Sequence, residues 1–534
     1  AVPGDTGLMK KMNYHRTLSC AMTGLNGVLV EIEVSVLPGL PSFEISGRGD
    51  SAIRESRDRV RAAIRHSGYL FPKGRVVASY APASLPKQGS AFDLPLALAV
   101  LASSDQAVPS GDAPMTASFG ELSLNGRVKP VSGVLGRLFS LREEGIRHVI
   151  GPTEGEREAS SVKSIRYEGV ETLRQAVLRY SGISPESRAK QGMVMSEEKS
   201  EENTPDVLGL IRGQTEGIRA CTIAAAGWHP ILLMGAPGCG KTTLATAIPS
   251  ILPPLSEEES VEVSRIYSAA GICSFSGGLM KRRPFRYTHH TVTPAALIGG
   301  GLFPKPGECT LAHRGVLFLD ELTEVSPRTL DALREPLETG EVRLSRADWN
   351  MVFPAEFLFV AACNPCRCGY LLEPHGRCQC DDMSVRRHLS RINGPLFDRF
   401  DLIVPMTRVD TRTLLAVPDK RRERGRSLTQ KTGEQVVSAW QSQKKRASAR
   451  GMSAFHNGSV QVSDPEKYFS ISAEAMRFAG EIADQSLFSV RSFLSLLRIA
   501  RTIADIEKNE QVSRGDIAEA YHFKARLPFS DTRI

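Results

Sequence analysis

An apolar run, Ile231-Leu-Leu-Met234, passes directly into Gly235-Ala-Pro-Gly-Cys-Gly-Lys241-Thr242. Glycines at this spacing followed by Lys-Thr are the mark of a phosphate-binding loop. Successive backbone N–H groups wrap the phosphates of a nucleotide, Lys241 reaches the β and γ oxygens, and Thr242 offers a hydroxyl to Mg²⁺. The loop needs a strand before it and a helix after it, so the middle of the chain is expected to form a parallel sheet covered by helices. Gly235, Gly238 and Gly240 are read as positions that take a positive φ or let phosphate approach the backbone. Pro237, Cys239, Lys241, Thr242 and Thr243 complete the expected nucleotide-contacting set, with Cys239 presenting its backbone and its thiol given no role.

A second motif supplies chemistry. Gly315-Val-Leu-Phe-Leu-Asp320-Glu321 is an apolar strand ending in two carboxylates. Asp320 would hold the Mg²⁺ shell with Thr242, and Glu321 would orient and deprotonate the attacking water. Together the motifs imply a nucleoside triphosphate hydrolase using Mg²⁺.

The remaining properties narrow the setting. At 534 residues the chain is expected to form several domains, and its 41% apolar and 24% charged content suits globular protein. No run of about 18 apolar residues and no signal-like apolar segment is seen, so no membrane association and a cytoplasmic location are expected. A net charge of +8 and a pI near 9.0 fit a nucleic-acid partner without establishing one. Between Thr411 and Arg450 eleven Lys/Arg face three Asp/Glu, clustered at Lys420-Arg421-Arg422, Arg424, Arg426 and Lys444-Lys445-Arg446. A solvated helix face and a phosphate-tracking surface remain equally open readings of that segment.

Five of the ten cysteines fall between Cys363 and Cys380. Cys366-x-Cys368 and Cys378-x-Cys380 flank a turn-forming stretch with Gly369, Pro374 and Gly376, which would let four thiolates meet around a structural Zn²⁺. Four reduced thiols are the alternative, and His375 is a spare ligand. Cys363 lies in the apolar stretch Phe357–Cys363 and reads as a buried small hydrophobe.

Four segments are expected: an α+β domain over 13–180, a polar linker over 181–205, a three-layer parallel-sheet nucleotide domain over 206–410, and a helical domain over 411–534. In the last, Phe493, Leu496, Leu497, Ala500, Ile503 and Ala504 recur at helical spacing and predict one apolar face.

The order of motifs resembles a known family. The phosphate-binding loop is followed by His289-His290-Thr, Ala296-Leu-Ile-Gly-Gly-Gly301, Leu311-Ala-His-x-Gly-Val-Leu-Phe-Leu-Asp-Glu321, Asn364-Pro-Cys-x-Cys-Gly369 and Leu389-Ser-Arg-Ile-x-Gly-Pro-Leu-x-Asp-Arg399. This looks like the ComM/YifB family of AAA+ proteins related to the magnesium chelatase ATPase subunit. The N-terminal part is similar too, through Gly39-Leu-Pro-Ser-Phe43, Glu55-Ser-Arg-x-Arg-Val-Arg-Ala-Ala63 and Phe92-Asp-Leu-Pro-Leu-Ala97.

The resemblance implies an N-terminal α+β domain like the Lon peptidase, an AAA+ core and a C-terminal helical lid. The Lon motifs put Ala91 at the nucleophile position, next to Ser90, and Leu135 at the lysine position. Leucine cannot accept a proton, so no proteolysis is expected. In the motor, Asn364 matches the sensor that helps place the attacking water, and Arg491 matches the lid-side sensor. Arg399 matches an arginine finger acting on a neighbouring subunit, which implies a ring, most simply a hexamer. Arg391 is the substitute if Arg399 serves a structural ion pair.

The implied function is an ATP-driven motor on single-stranded or branched DNA, serving branch migration in natural transformation. A chelatase-like protein remodeller without DNA is the alternative. Arg343 and Arg346, on an expected hairpin before the sensor strand, and Lys281 and Arg282, in a run with aromatic neighbours, are candidate DNA contacts. His289 and His290 invite a metal reading, but adjacent residues are expected to point to different sides, which gives that reading little weight.

Overall fold

The computed structural model describes residues 13–46, 51–82, 90–111, 115–183, 206–272, 278–301, 304–346, 349–373, 377–392, 394–410, 427–452, 454–461 and 464–524. The chain divides into two compact units. One comprises Ala1–Glu197, Ser260–Met280 and Ser345–Met351; the other comprises Glu198–Glu259, Lys281–Leu344 and Val352–Ile534. Most of the expected linker, the basic run Lys420–Arg426 and His375 lie outside the described residues. Among the described residues no helix is long and apolar enough to cross a membrane.

The first unit is built on a seven-stranded mixed sheet. Its order is Ser42–Ser46, Arg75–Ala81, Asn26–Leu37, Asn13–Thr23, Thr116–Ser118, His148–Pro152, Arg166–Val170. Val30, Ile32 and Val34 are fully buried while the intervening Glu31 and Glu33 are partly exposed, which is the alternation of a strand with one face on the core. Against that face lies the helix Asp93–Ser103, apolar all round and buried along its whole length. Its one acid, Asp93, accepts from Ser56, from Arg59 at 2.9 Å and from the Leu122 N–H at 3.2 Å. A buried carboxylate survives only with such a set of donors.

The second unit holds five strands, all paired in parallel, in the order Phe285–Thr288, Val316–Leu319, Leu358–Cys363, Ile231–Gly235, Leu402–Met406. Three of them are buried at every position, as the inner strands of a sheet covered on both faces must be. The helices Leu428–Ser448, Ala473–Gln485, Val490–Ile506 and Arg514–Phe523 follow.

The helix Val490–Ile506 departs from the expected single apolar face. Leu496, Leu497, Ala500, Ile503 and Ala504 are buried, and so are the polar Ser495, Arg501, Thr502 and Asp505. Arg501 pairs with Asp505 at 3.0 Å and donates to the carbonyls of Phe469 and Glu510. The buried polar residues are thus satisfied by hydrogen bonds and an ion pair within the fold.

Candidate active site and cysteine cluster

In a parallel sheet the ligand crevice lies beyond the carboxyl ends of the strands. Four neighbouring strands end there in the residues singled out above. Ile231–Gly235 opens the phosphate-binding loop, Val316–Leu319 ends at Asp320 and Glu321, Leu358–Cys363 at Asn364, and Phe285–Thr288 at His289 and His290.

Gly238 and Gly240 have φ of +77° and +97°, and a side-chain carbon at either position would meet only open space, so conformation alone demands glycine. Gly235 is required for a different reason: a Cβ there would collide with the Met406 carbonyl oxygen and lie 2.7 Å from Cys239 Sγ. Pro237, Gly238, Thr242 and Thr243 are exposed, whereas Cys239 and Lys241 are buried. Lys241 Nζ donates to the carbonyls of Gly235 at 2.7 Å and Ala236 at 3.0 Å, and to Asn364 Oδ1 at 3.2 Å. The loop and the candidate sensor therefore share one ammonium group.

Asp320 Oδ2 accepts from Thr242 Oγ1 and from the Tyr287 hydroxyl, both at 3.2 Å. Adjacent oxygens around an octahedral Mg²⁺ are about 3.0 Å apart, so Thr242 and Asp320 fit two ligands of that ion. Burial, then the Asp320 charge, raises the Tyr287 pKa. Glu321 has a φ of +50°, a conformation uncommon outside glycine, and its Oε2 lies 2.5 Å from His290 Nδ1.

The expectation for the paired histidines fails here. Their ring centroids are 4.0 Å apart, and one nitrogen of each lies within 4.8 Å of the other and of a Glu321 oxygen. Strand alternation ends at Thr288, and the next residues turn, with the Val292 N–H donating to the His289 carbonyl at 3.0 Å. Tyr287 and His290 stand beside the two carboxylates, a role that sequence reasoning did not assign to either. Their signal was position at the end of a strand, but which strand lies beside Val316–Leu319 is not written in the motif.

Arg399 lies elsewhere. Parallel pairing sets Leu402 opposite Ile231, so Arg399 precedes its strand at the amino edge of the sheet. A five-residue strand at about 3.3 Å per residue spans roughly 16 Å, which separates Arg399 from the phosphate-binding loop of its own chain. Arg399 pairs with Glu338 at 3.2 Å and its side chain is 9% exposed. Burial, then the charge of Arg491, lowers its pKa. The charge of exposed Arg491 also acts on Arg498 and Lys524, which groups it with Arg399. Arg391 pairs with Glu324 at 2.9 Å on the carboxylate side of the sheet.

The basic run at 281–286 divides in two. Lys281 and Arg282 are exposed. Arg283 is buried, pairs with Glu259 at 2.8 Å and lies 4.9 Å over the Trp440 ring, while Arg286 pairs with Glu308 at 2.6 Å. Arg283 and Arg286 are thus each already paired with a carboxylate. Arg343 is exposed and pairs with Glu341 at 3.1 Å; Arg346 closes the strand Glu341–Arg346, which forms a two-stranded sheet with Trp349–Pro354. Lys444 and Lys445 are exposed, but Arg446 is tied to Asp505 and Asn457.

Cys366, Cys368, Cys378 and Cys380 place their sulfurs within 4.8 Å of one another. Cys366 Sγ is 3.3 Å from Cys368 and 3.7 Å from Cys378, and the Cys368–Cys378 distance is 3.6 Å. Four thiolates around Zn²⁺ at about 2.3 Å stand about 3.8 Å apart, so the cluster fits that ion. Cys363 is buried and outside the cluster.

In the first unit the Ser90 hydroxyl donates to Glu121 Oε2, and Ala91 and Leu135 are buried. The hydroxyl thus has a carboxylate partner.

The family described as "Magnesium chelatase, subunit ChlI" matches residues 207–414, "Subunit ChlI of Mg-chelatase" matches 32–155, and "Magnesium chelatase, subunit ChlI C-terminal" matches 427–524. The competence protein ComM of Haemophilus influenzae is 35% identical over 514 residues, 95% of this chain and 97% of its own. YifB of Salmonella typhimurium is 36% identical over 505 residues, 95% of this chain and 96% of its own. The chain belongs to the ComM/YifB family. A protein of Mycobacterium tuberculosis, Rv2897c, is 38% identical over 516 residues, 96% of this chain and 99% of its own. Membership in the ComM/YifB family makes this chain an ATPase, with ATP and Mg²⁺ as the implied ligands of the loop and the carboxylate pair.

Proposed function

We propose that this ATPase is a ring-forming motor that moves on DNA, acting in the cytoplasm as a branch-migration helicase during natural transformation and homologous recombination. The observation that carries the DNA reading is the relative named competence protein ComM, which aligns along 95% of this chain. In this reading Lys241, Asp320, Glu321 and Asn364 act within one subunit. Arg399 and Arg491 serve the next, because Arg399 precedes a strand whose other end reaches the phosphate-binding loop. The ring is a hexamer, the helices after residue 427 form its lid, and the N-terminal unit is a Lon-like scaffold without peptidase chemistry. The four cysteines hold a structural Zn²⁺.

Two measurements test this. Lys241→Ala and Arg399→Ala proteins are each expected to be inactive, and mixing them should restore ATP hydrolysis at interfaces that pair an intact loop with an intact finger. No recovery on mixing contradicts a shared site.

DNA is tested by adding single-stranded and branched molecules to the ATPase assay. Stimulation is expected, and binding should weaken with salt. Removing Arg343, Arg346, Lys281 or Arg282 should each lower the salt slope by about 0.7, one phosphate contact on a single strand. An ATPase indifferent to every nucleic acid would instead favour a chelatase-like remodeller of proteins.

A further inference from the structure

We propose that the metal held by Cys366, Cys368, Cys378 and Cys380 positions the ATPase site, clamping the segment that carries Asn364 against the phosphate-binding loop so that metal occupancy sets the rate of turnover. This rests on the zinc reading above and adds a part in hydrolysis to what would otherwise be a structural staple.

The observations form a closed circuit. Asn364 accepts from Lys241 Nζ at 3.2 Å through its side chain, and Cys366 follows it by two residues. Between the two pairs of thiols sits Gly369, buried, with a φ of +85°, whose N–H donates to the Cys366 carbonyl at 3.0 Å. A Cβ on Gly369 would lie 2.6 Å from Pro237 Cδ in the phosphate-binding loop and 3.9 Å from Asn364 Cγ. The knuckle backbone therefore packs directly on that loop.

The other pair of thiols leads back to the same point. Cys380 precedes Asp381 and the helix Asp382–Leu389, and buried His388 on that helix meets the Asn364 carbonyl oxygen through Nε2 at 3.1 Å. Asn364 is thus held from one side by Cys366 and Cys368 and from the other by the helix that Cys378 and Cys380 anchor. A metal ion joining the four sulfurs removes the freedom of one arm relative to the other. Without it, Asn364 keeps its neighbours in sequence but loses the constraint on where its amide stands.

This predicts which kinetic constant moves. Phosphate binding relies on the loop backbone and Lys241, whereas the sensor amide acts on the attacking water, so loss of the clamp should lower kcat and leave KM largely intact. Three variants of the full chain and the wild type are compared by metal content, circular dichroism and steady-state ATP hydrolysis in excess Mg²⁺. Wild type is expected to carry one zinc per chain, and protein reconstituted with cobalt to show the visible bands of tetrahedral thiolate coordination. Cys378→Ser should lose the metal and about tenfold in kcat, the scale of an outer-shell defect. Cys380→His, which keeps four ligands, should retain both.

Gly369→Ala leaves every ligand in place, so it remains informative if Cys378→Ser fails to fold. It is expected to keep its metal while kcat falls about tenfold, because a φ of +85° is strained for alanine and the new methyl, 2.6 Å from Pro237 Cδ, forces the knuckle and the phosphate-binding loop apart. A Gly369→Ala protein with its metal and full kcat, or folded Cys378→Ser turning over at the wild-type rate, overturns the positioning role. Absence of metal from wild type grown with zinc overturns the zinc reading beneath it, whatever the kinetics.

Discussion

Glu321→Gln is expected to slow ATP hydrolysis by roughly 10²–10⁴-fold, the contribution of a positioned general base, with nucleotide affinity nearly unchanged. The carboxylate stands at the end of the strand Val316–Leu319, one residue beyond Asp320, and its Oε2 is 2.5 Å from His290 Nδ1. An amide is the same size and occupies the same place beside the imidazole, so the variant removes proton acceptance and little else. The nucleotide itself would be gripped by the loop, Lys241, Thr242 and Asp320, none of which changes. Single-turnover hydrolysis and fluorescent-nucleotide binding separate the two effects. A Glu321→Gln protein that hydrolyses at the wild-type rate excludes Glu321 as the base.

Asp401→Asn has the largest expected effect on stability, a loss of about 3–5 kcal/mol, the range found when one member of a buried charged set is removed. Asp401 is buried and accepts from His229 Nδ1 at 2.8 Å and from the Ser495 hydroxyl. His229 Nε2 meets Thr502 Oγ1 at 2.8 Å, and buried Lys524 donates to Ser495 Oγ at 2.8 Å. One carboxylate thus joins the turn before Ile231–Gly235, the helix Val490–Ile506 and the end of Arg514–Phe523. The neutral amide takes from buried Lys524 the larger of the two carboxylate charges that act on it, those of Asp401 and Asp398.

The pH dependence has a definite sign. Burial acts to raise the Asp401 pKa, but hydrogen bonds and charge from His229, the charge of Lys524 and the Ser495 hydroxyl outweigh it and hold the group at about 2. A free aspartate titrates near 3.9. Because the folded value is the lower one, the stabilisation is complete above about pH 4 and is lost as pH falls towards 2. Urea unfolding followed by tryptophan fluorescence should show the wild type losing this contribution over that interval and Asp401→Asn lacking it. Equal midpoints for the two proteins at neutral pH contradict the assignment.

Much of the catalytic end was legible in the sequence because it is encoded locally. A phosphate-binding loop needs glycines at fixed offsets, and a carboxylate strand needs an apolar run followed by acids; both signals fit within ten residues. The hairpin before the sensor strand was legible for the same reason, since period-2 alternation about a polar turn is a short-range pattern. In the basic run at 281–286 charge alone does not reveal a partner: Glu259 and Glu308, which pair with Arg283 and Arg286, lie more than twenty residues away on either side. The two histidines were misread because alternation was carried one residue past the end of a strand.

By itself, the order of residues determined that a strand, glycine-rich loop and helix would follow one another around Gly235–Thr242, that two acids would end an apolar strand, and that four thiols had the spacing to meet. Each follows from backbone conformation or ligand spacing over a short stretch. Tertiary structure alone decided which strands became neighbours, and hence that Tyr287 and His290 hold Asp320 and Glu321, that Arg399 sits at the opposite edge of the sheet from Lys241, and that Gly369 rests on Pro237. Such pairings depend on strand order and on packing between segments far apart in the chain, where the free energy of burial and long-range hydrogen bonding selects the partner and no local pattern records the choice.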